Sequence, residues 1–153
     1  MAAQDPLLRV CDLLNRHGAR YLIAGAQACI LHGLVRTTED VDILIEATEE
    51  NATRVIAALS ELEDHAAAEL TPRELLENVA VKVADEVEVD VSTHAWTVSY
   101  VDAAPTAQET TIDGVRIPYL SLDSLIASKE TYRGQDHIDR ARLIELRQRK
   151  SRG

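Results

Sequence analysis

The sequence predicts an α/β domain with helices packed on a mixed, twisted sheet. Short apolar runs of strand length, such as "YLIA" and "ILI", alternate with segments whose apolar residues recur at helical spacing. Two stretches of strict alternation are each interrupted by a turn signal and read as hairpins. No repeat, low-complexity tract or linker divides the 153 residues. One domain over residues 1–153 is the expectation, since that length buries a single sizeable core.

Each element has its own signal. "DPLLRVCDLLNRH" opens on Asp5-Pro6, a helix entry, and carries Leu7, Val10 and Leu14 on one stripe up to Gly18. "RYLIAG" is a short buried strand ended by Gly25. "AQACILHG" is a short helix closed by Gly33. "RTTED" is a loop, and "VDILIE" is the second strand. "TEENATRVIAALSELED" predicts the clearest amphipathic helix, with Val55, Ile56, Leu59 and Leu62 along its apolar stripe. "TPRELLENV" is a brief helix with Thr71 as cap, Pro72 in first position and Glu74 as the box partner. "VAVKVADEVEVDVST" is a strand pair turning at "ADE", and "ETTIDGVRIPYLS" is a second pair turning at Asp113-Gly114. Two helices follow, "LDSLIASKETY" and "QDHIDRARLIELRQR", split at Arg133-Gly134. The basic end "RQRKSRG" predicts a frayed last turn whose charge suits the helix dipole.

Composition narrows the partners. The chain is 46% apolar and 27% charged, with one Trp, four Tyr and no Phe, so its core is built from Leu, Ile, Val and Ala. Its net charge of −10 opposes a broad grip on nucleic acid, which needs many Lys and Arg contacts to phosphate. A small basic pocket or a divalent cation site is compatible with it. Cys11 and Cys29 fall at apolar helical positions and read as buried small hydrophobes, without zinc-ligand spacing. "MAAQDPLLRV" has neither the basic start nor the apolar run of a secretory signal, and no stretch is long enough for a membrane span. A reducing, cytoplasmic setting is expected.

The candidate chemistry lies in the acids. Asp40 and Asp42 project to one side of a strand whose Val41, Ile43 and Ile45 project to the other. Two carboxylates about 7 Å apart can converge on a hard divalent cation. A strand start with two solvated acids is the plain alternative. Gly25, where a strand turns directly into a helix, is either a phosphate seat made of backbone N–H groups or a simple turn. In "VEVDVST", Glu88, Asp90 and Ser92 share one face. Asp90 would reach the metal or an acceptor's proton if this strand neighbours the first pair, and Glu88 would serve as well. Lys129 falls on the inward stripe of Leu122, Leu125 and Ile126, so it either snorkels outward or meets an anion. Arg36 is a phosphate clamp or a solvated loop residue, and Asp136 is a helix N-cap on its own evidence. His32 packs at a helix end, and His94 and Trp96 shape a pocket or the core.

With "LIAGAQACILHGLVRTTEDVDILIE", "EVDVS" and "YLSLDSLIASKETYRGQDHIDRARL", the chain resembles the minimal nucleotidyltransferases of the DNA polymerase beta superfamily over about residues 20–145. Its wording is similar to the small antitoxin-type and abortive-infection-type members. That signature is an apolar strand, Gly-Gly or Gly-Ser, a gap of roughly a dozen residues, Asp-x-Asp, and a third carboxylate on a later strand. Gly25, Ala26, Asp40, Asp42 and Asp90 stand at those positions, and Ala26 departs from the usual Ser or Gly. The resemblance implies one or two magnesium ions on Asp40, Asp42 and Asp90, with Asp90 completing the second metal site or taking the acceptor's proton. A nucleoside triphosphate would be gripped by Gly25, Ala26, Lys129 and Arg36, with Asp136 orienting the lysine or an arginine. The implied reaction moves a nucleoside monophosphate to a hydroxyl on a protein, a small alcohol such as an aminoglycoside, or an RNA end. The implied alternative is a protein of the same fold that binds a partner, such as a toxin, without turnover. A D-x-D glycosyltransferase ranks below both because it needs a larger nucleotide-sugar domain.

Overall fold

The computed structural model describes residues 5–131 and 133–152. Helix α1 (Pro6–Arg16) starts where Asp5 accepts the amides of Leu7 and Leu8, and it ends as Gly18 turns left-handed. Its stripe of Leu7, Val10, Cys11 and Leu14 is buried. Strand β1 (Tyr21–Ala24) runs directly into helix α2 (Gly25–Leu31), and β2 (Val41–Ile45) follows after the loop. Helix α3 (Glu49–Leu59) is capped by Thr48, whose hydroxyl accepts the Asn51 amide.

Helix α4 (Pro72–Glu77) starts on the Thr71 hydroxyl, which accepts the Glu74 amide, and precedes β3 (Ala80–Ala84) and β4 (Glu88–Ser92). A small hairpin of β5 (His94–Ala95) and β6 (Val98–Ser99) and the turn-length helix α5 (Tyr100–Ala103) come next. Strands β7 (Gln108–Ile112) and β8 (Val115–Tyr119) meet at Asp113 and Gly114, both at positive φ as a tight primed turn requires. Helices α6 (Leu122–Ser128) and α7 (Gly134–Arg152) complete the chain.

The main sheet is ordered β3-β4-β2-β1-β8-β7, with β2–β4 and β1–β8 parallel and the other pairs antiparallel. All four residues of β1 are buried, so its strand reads as a continuous apolar run and is covered on both faces. Helices α1 and α3 pack together, with α1 also on β2 and β8, while α2 lies on β1 and β2 and contacts α6. Among the described residues, no helix is long and apolar enough to cross a membrane. Cys11 and Cys29 are free and buried, and burial pushes the Cys11 thiol up to about 12.

Several boundaries differ from the sequence reading. Helix α3 stops at Leu59 instead of running to Asp64, and Leu62 is buried from the turn that follows. Helix α6 stops at Ser128, because Lys129 is its C-cap; Tyr132, expected as its end, lies outside the described residues. The basic end is helical through Arg152, not frayed. The β5–β6 hairpin carried no signal in the sequence; its turn places Trp96 at positive φ.

Candidate active site

The site begins with a strand register. Asp42 pairs with Ala24 of β1 on one side and with Asp90 of β4 on the other. Parallel pairing puts the two carboxylates on the same face of adjacent strands, within hydrogen-bonding contact. Burial first, and then the charge of Asp90, push the Asp42 carboxyl up to about 7. Asp42 is the one residue of β2 that is not fully buried.

Gly25 is explained by that carboxylate. Its φ is +60°, and a Cβ placed there would lie 2.0 Å from Asp42 Oδ2. Only glycine combines the left-handed turn from β1 into α2 with room for the acid above it. Position 26 is a buried Ala, so the following turn offers its backbone and no hydroxyl.

Asp40 precedes β2, with its amide donated to Thr38 Oγ1 at 3.3 Å. Its carboxyl meets Glu88, whose own carboxyl is raised by that hydrogen bond. Asp40, Asp42 and Asp90 all line one polar cleft of about 190 Å³. The structure thus pairs Asp42 with Asp90 and turns Asp40 towards Glu88. Among the described residues, no three His, Cys, Asp or Glu side chains already stand as a metal cage. Lys82, opposite Asp90 on β3, leans over the same acids at 3.7 Å from Glu88 and 4.0 Å from Asp90.

The facing wall comes from the α6–α7 junction. Lys129 is 8% exposed, and its Nζ donates to Asp136 Oδ1 at 3.1 Å and Asp139 Oδ2 at 3.2 Å. The inward reading of Lys129 holds, and its anionic partners are two carboxylates of α7. Asp136 is not an N-cap: α7 begins at Gly134, and the acid points back to Lys129 and to Thr131. Burial opposes its ionisation, but the hydrogen bonds from Thr131 and Lys129 outweigh burial and hold the carboxyl below its ordinary range. Arg36 is not solvated; it is ion-paired with Asp139. Gln135 Nε2 supplies Asp139 with a further donor at 3.0 Å. His32 is buried, 2.8 Å from the Leu120 carbonyl and edge-on to Tyr119, so it packs at a helix end as expected.

Asp139, Lys82 and Arg133 were not singled out by sequence reasoning. Asp139 had a readable signal, since it lies one turn after Asp136 on the same helix face. Arg133 lines two clefts that meet at Asp42, Lys129 and Asp136. The second cleft, of about 360 Å³, runs along β2 and β4 beneath the β5–β6 hairpin, where Trp96 and His94 close it.

The model of the aminoglycoside-2''-adenylyltransferase family matches residues 6–143. The chain belongs to that family. It is therefore a member of a nucleotidyltransferase family, and the match includes Asp40, Asp42, Asp90, Lys129 and Asp139. Comparison with curated proteins returns no match. Among solved structures, an antigenic nucleotidyltransferase-like protein from Paracoccidioides brasiliensis superposes with a TM-score of 0.57 at 19% identity. The alignment covers 95% of this chain and 78% of that one. At that identity the likeness establishes a nucleotidyltransferase-like fold. The family's fold and the mixed sheet agree with the architecture expected from the sequence.

Proposed function

We propose that the chain transfers a nucleoside monophosphate from a nucleoside triphosphate to a hydroxyl of a small-molecule acceptor. The observation that carries this reading is the register pairing Asp42 with Asp90 over Gly25. The family description names adenylylation of an aminoglycoside, which supports a small acceptor over a protein or an RNA end.

The residues present fit a hard divalent cation. Their donors are all carboxylate oxygens, and two acids pressed together need an added positive charge before both ionise. Asp42 and Asp90 would hold magnesium, with Asp40 at the rim of the same cleft. When bound there, magnesium neutralises phosphate charge and orients the triphosphate. Gly25 and Ala26 offer backbone amides to a phosphate, and Arg133 and Lys129 offer charge from the opposite wall. Arg36 reaches a phosphate by exchanging Asp139 for it. Asp136 and Asp139 set where the Lys129 ammonium points. Asp90 takes the proton of the acceptor hydroxyl as its oxygen bonds to the α-phosphorus. The bond from that phosphorus to the bridging oxygen then breaks, and pyrophosphate leaves.

The test is incubation with each of the four α-labelled nucleoside triphosphates, magnesium and a panel of hydroxyl compounds. Label should move to an acceptor, chelation should stop it, and Asp42→Asn should reduce it to background. Transfer that survives Asp42→Asn overturns the reading. A second reading, a partner-binding protein of this fold facing a toxin, draws on Ala26, which leaves the phosphate turn without a hydroxyl. No transfer with any triphosphate, together with metal-independent capture of a partner, would favour it.

A further inference from the structure

The edge strand β3 carries one charged residue, and it faces the acids. Lys82 pairs in register with Asp90, and Asp90 with Asp42, so the three side chains leave the same face of the sheet. Ala80 and Ala84, two residues to either side of Lys82, share that face and offer the acids methyl groups alone.

Four carboxyls meet there, since Asp42 touches Asp90 and Asp40 touches Glu88. Among the described residues, Lys82 is the one cation ion-paired with any of the four, at 3.7 Å from Glu88 and 4.0 Å from Asp90. Lys129, on the facing wall, is held by Asp136 and Asp139. The Lys82 distances are too long for hydrogen bonds, so its ammonium offsets the acids without being fixed to them. Its side chain is 54% exposed, and withdrawing it into water costs little. A divalent cation on Asp42 and Asp90 would share Asp90 with this ammonium, and the two positive charges repel. Glu88, which is not among the carboxylates assigned to magnesium, leaves the lysine an acid to stay beside.

We propose that Lys82 is a built-in counter-cation of the acid pair, which a divalent cation displaces from Asp90 on binding, so that Lys82 sets how tightly that cation is held. This rests on the transferase reading, in which Asp42 and Asp90 hold the metal. Lys82 acts through the carboxylates and is a positioning residue.

The test is a titration of the full chain with divalent manganese, which takes the same oxygen ligands as magnesium and whose free ion is counted by electron paramagnetic resonance. Lys82→Met keeps the length of the side chain and removes its charge. It should bind manganese several-fold more tightly than the parent in dilute buffer. The gap should close in about 1 M salt, where the Debye length is about 3 Å. Lys82→Arg keeps the charge and should stay close to the parent. Equal or weaker binding by Lys82→Met, a gap that salt leaves unchanged, or no manganese uptake by any of the three chains overturns the inference. The two readings fail separately. Equal manganese affinities with label transfer intact remove this role of Lys82 and leave the transferase. Tighter, salt-sensitive uptake by Lys82→Met without transfer of label to any acceptor does the reverse.

Discussion

At the scale of single residues, the proposed chemistry hangs on a carboxylate, Asp42, in a strand whose other residues are buried. The spacing of Asp40 and Asp42 was visible in the sequence, and so was Asp90 as a third acid. Their pairing was not, because one chain of letters carries no strand register. The glycine was legible as a turn, yet its stronger reason, the carboxylate oxygen above it, is a contact across the sheet. The raised carboxyl of Asp42 makes a pH prediction. Its folded value, about 7, lies above the ordinary aspartate value near 4, so the folded protein holds a proton there that the unfolded chain has lost. Without added cation, the stability contribution of Asp42 therefore falls as pH rises from about 4 to 7 and stays low above that. Asp42→Asn removes the effect. Its melting temperature should match the parent near pH 4 and exceed it by a growing margin up to pH 7, followed by thermal melts in chelator. A margin that is constant with pH would contradict this account.

Among elements, the junction of α6 and α7 is costly to disturb, since it holds a buried ion-pair cluster. Lys129 joins the end of one helix to Asp136 and Asp139 in the first turns of the next, and Asp139 is fully buried. Removing the ammonium leaves buried carboxylates short of a partner. Lys129→Met should cost about 3–5 kcal/mol by urea unfolding, the range for breaking a buried pair. A loss within 1 kcal/mol, the range of exposed pairs, would show that Arg36 and Gln135 suffice. The sequence placed Lys129 on the inward stripe correctly but read past the helix end by several residues. A C-cap at Lys129 has no glycine to announce it. Helix α3 was overread for the same reason: Ser60 ends it without a breaker, and Leu62 keeps the apolar rhythm going after the helix has stopped. Caps with side-chain partners, at Asp5, Thr48 and Thr71, were the ends that local chemistry announces most clearly.

For the molecule as a whole, the six strands of the main sheet were readable from apolar runs and alternation, and the β7–β8 turn has the Asp113-Gly114 its backbone demands, whereas the β5–β6 hairpin was not read. The strand order was not, since the parallel partners β2 and β4 are separated by two helices and a further strand. The net charge of −10 is a property of this scale too. In 0.15 M salt, a labelled single-stranded RNA of about 30 nucleotides should show no retardation with the full chain, because few phosphates can be neutralised at once. Tight, salt-sensitive retention would contradict it. The two clefts share a wall of Asp42, Lys129, Arg133 and Asp136. Any guest that draws the lysine from its acids on one side reshapes the cavity on the other. Two guests that both drew on Lys129 would then load interdependently, each altering the other's affinity by the same factor in either order of addition.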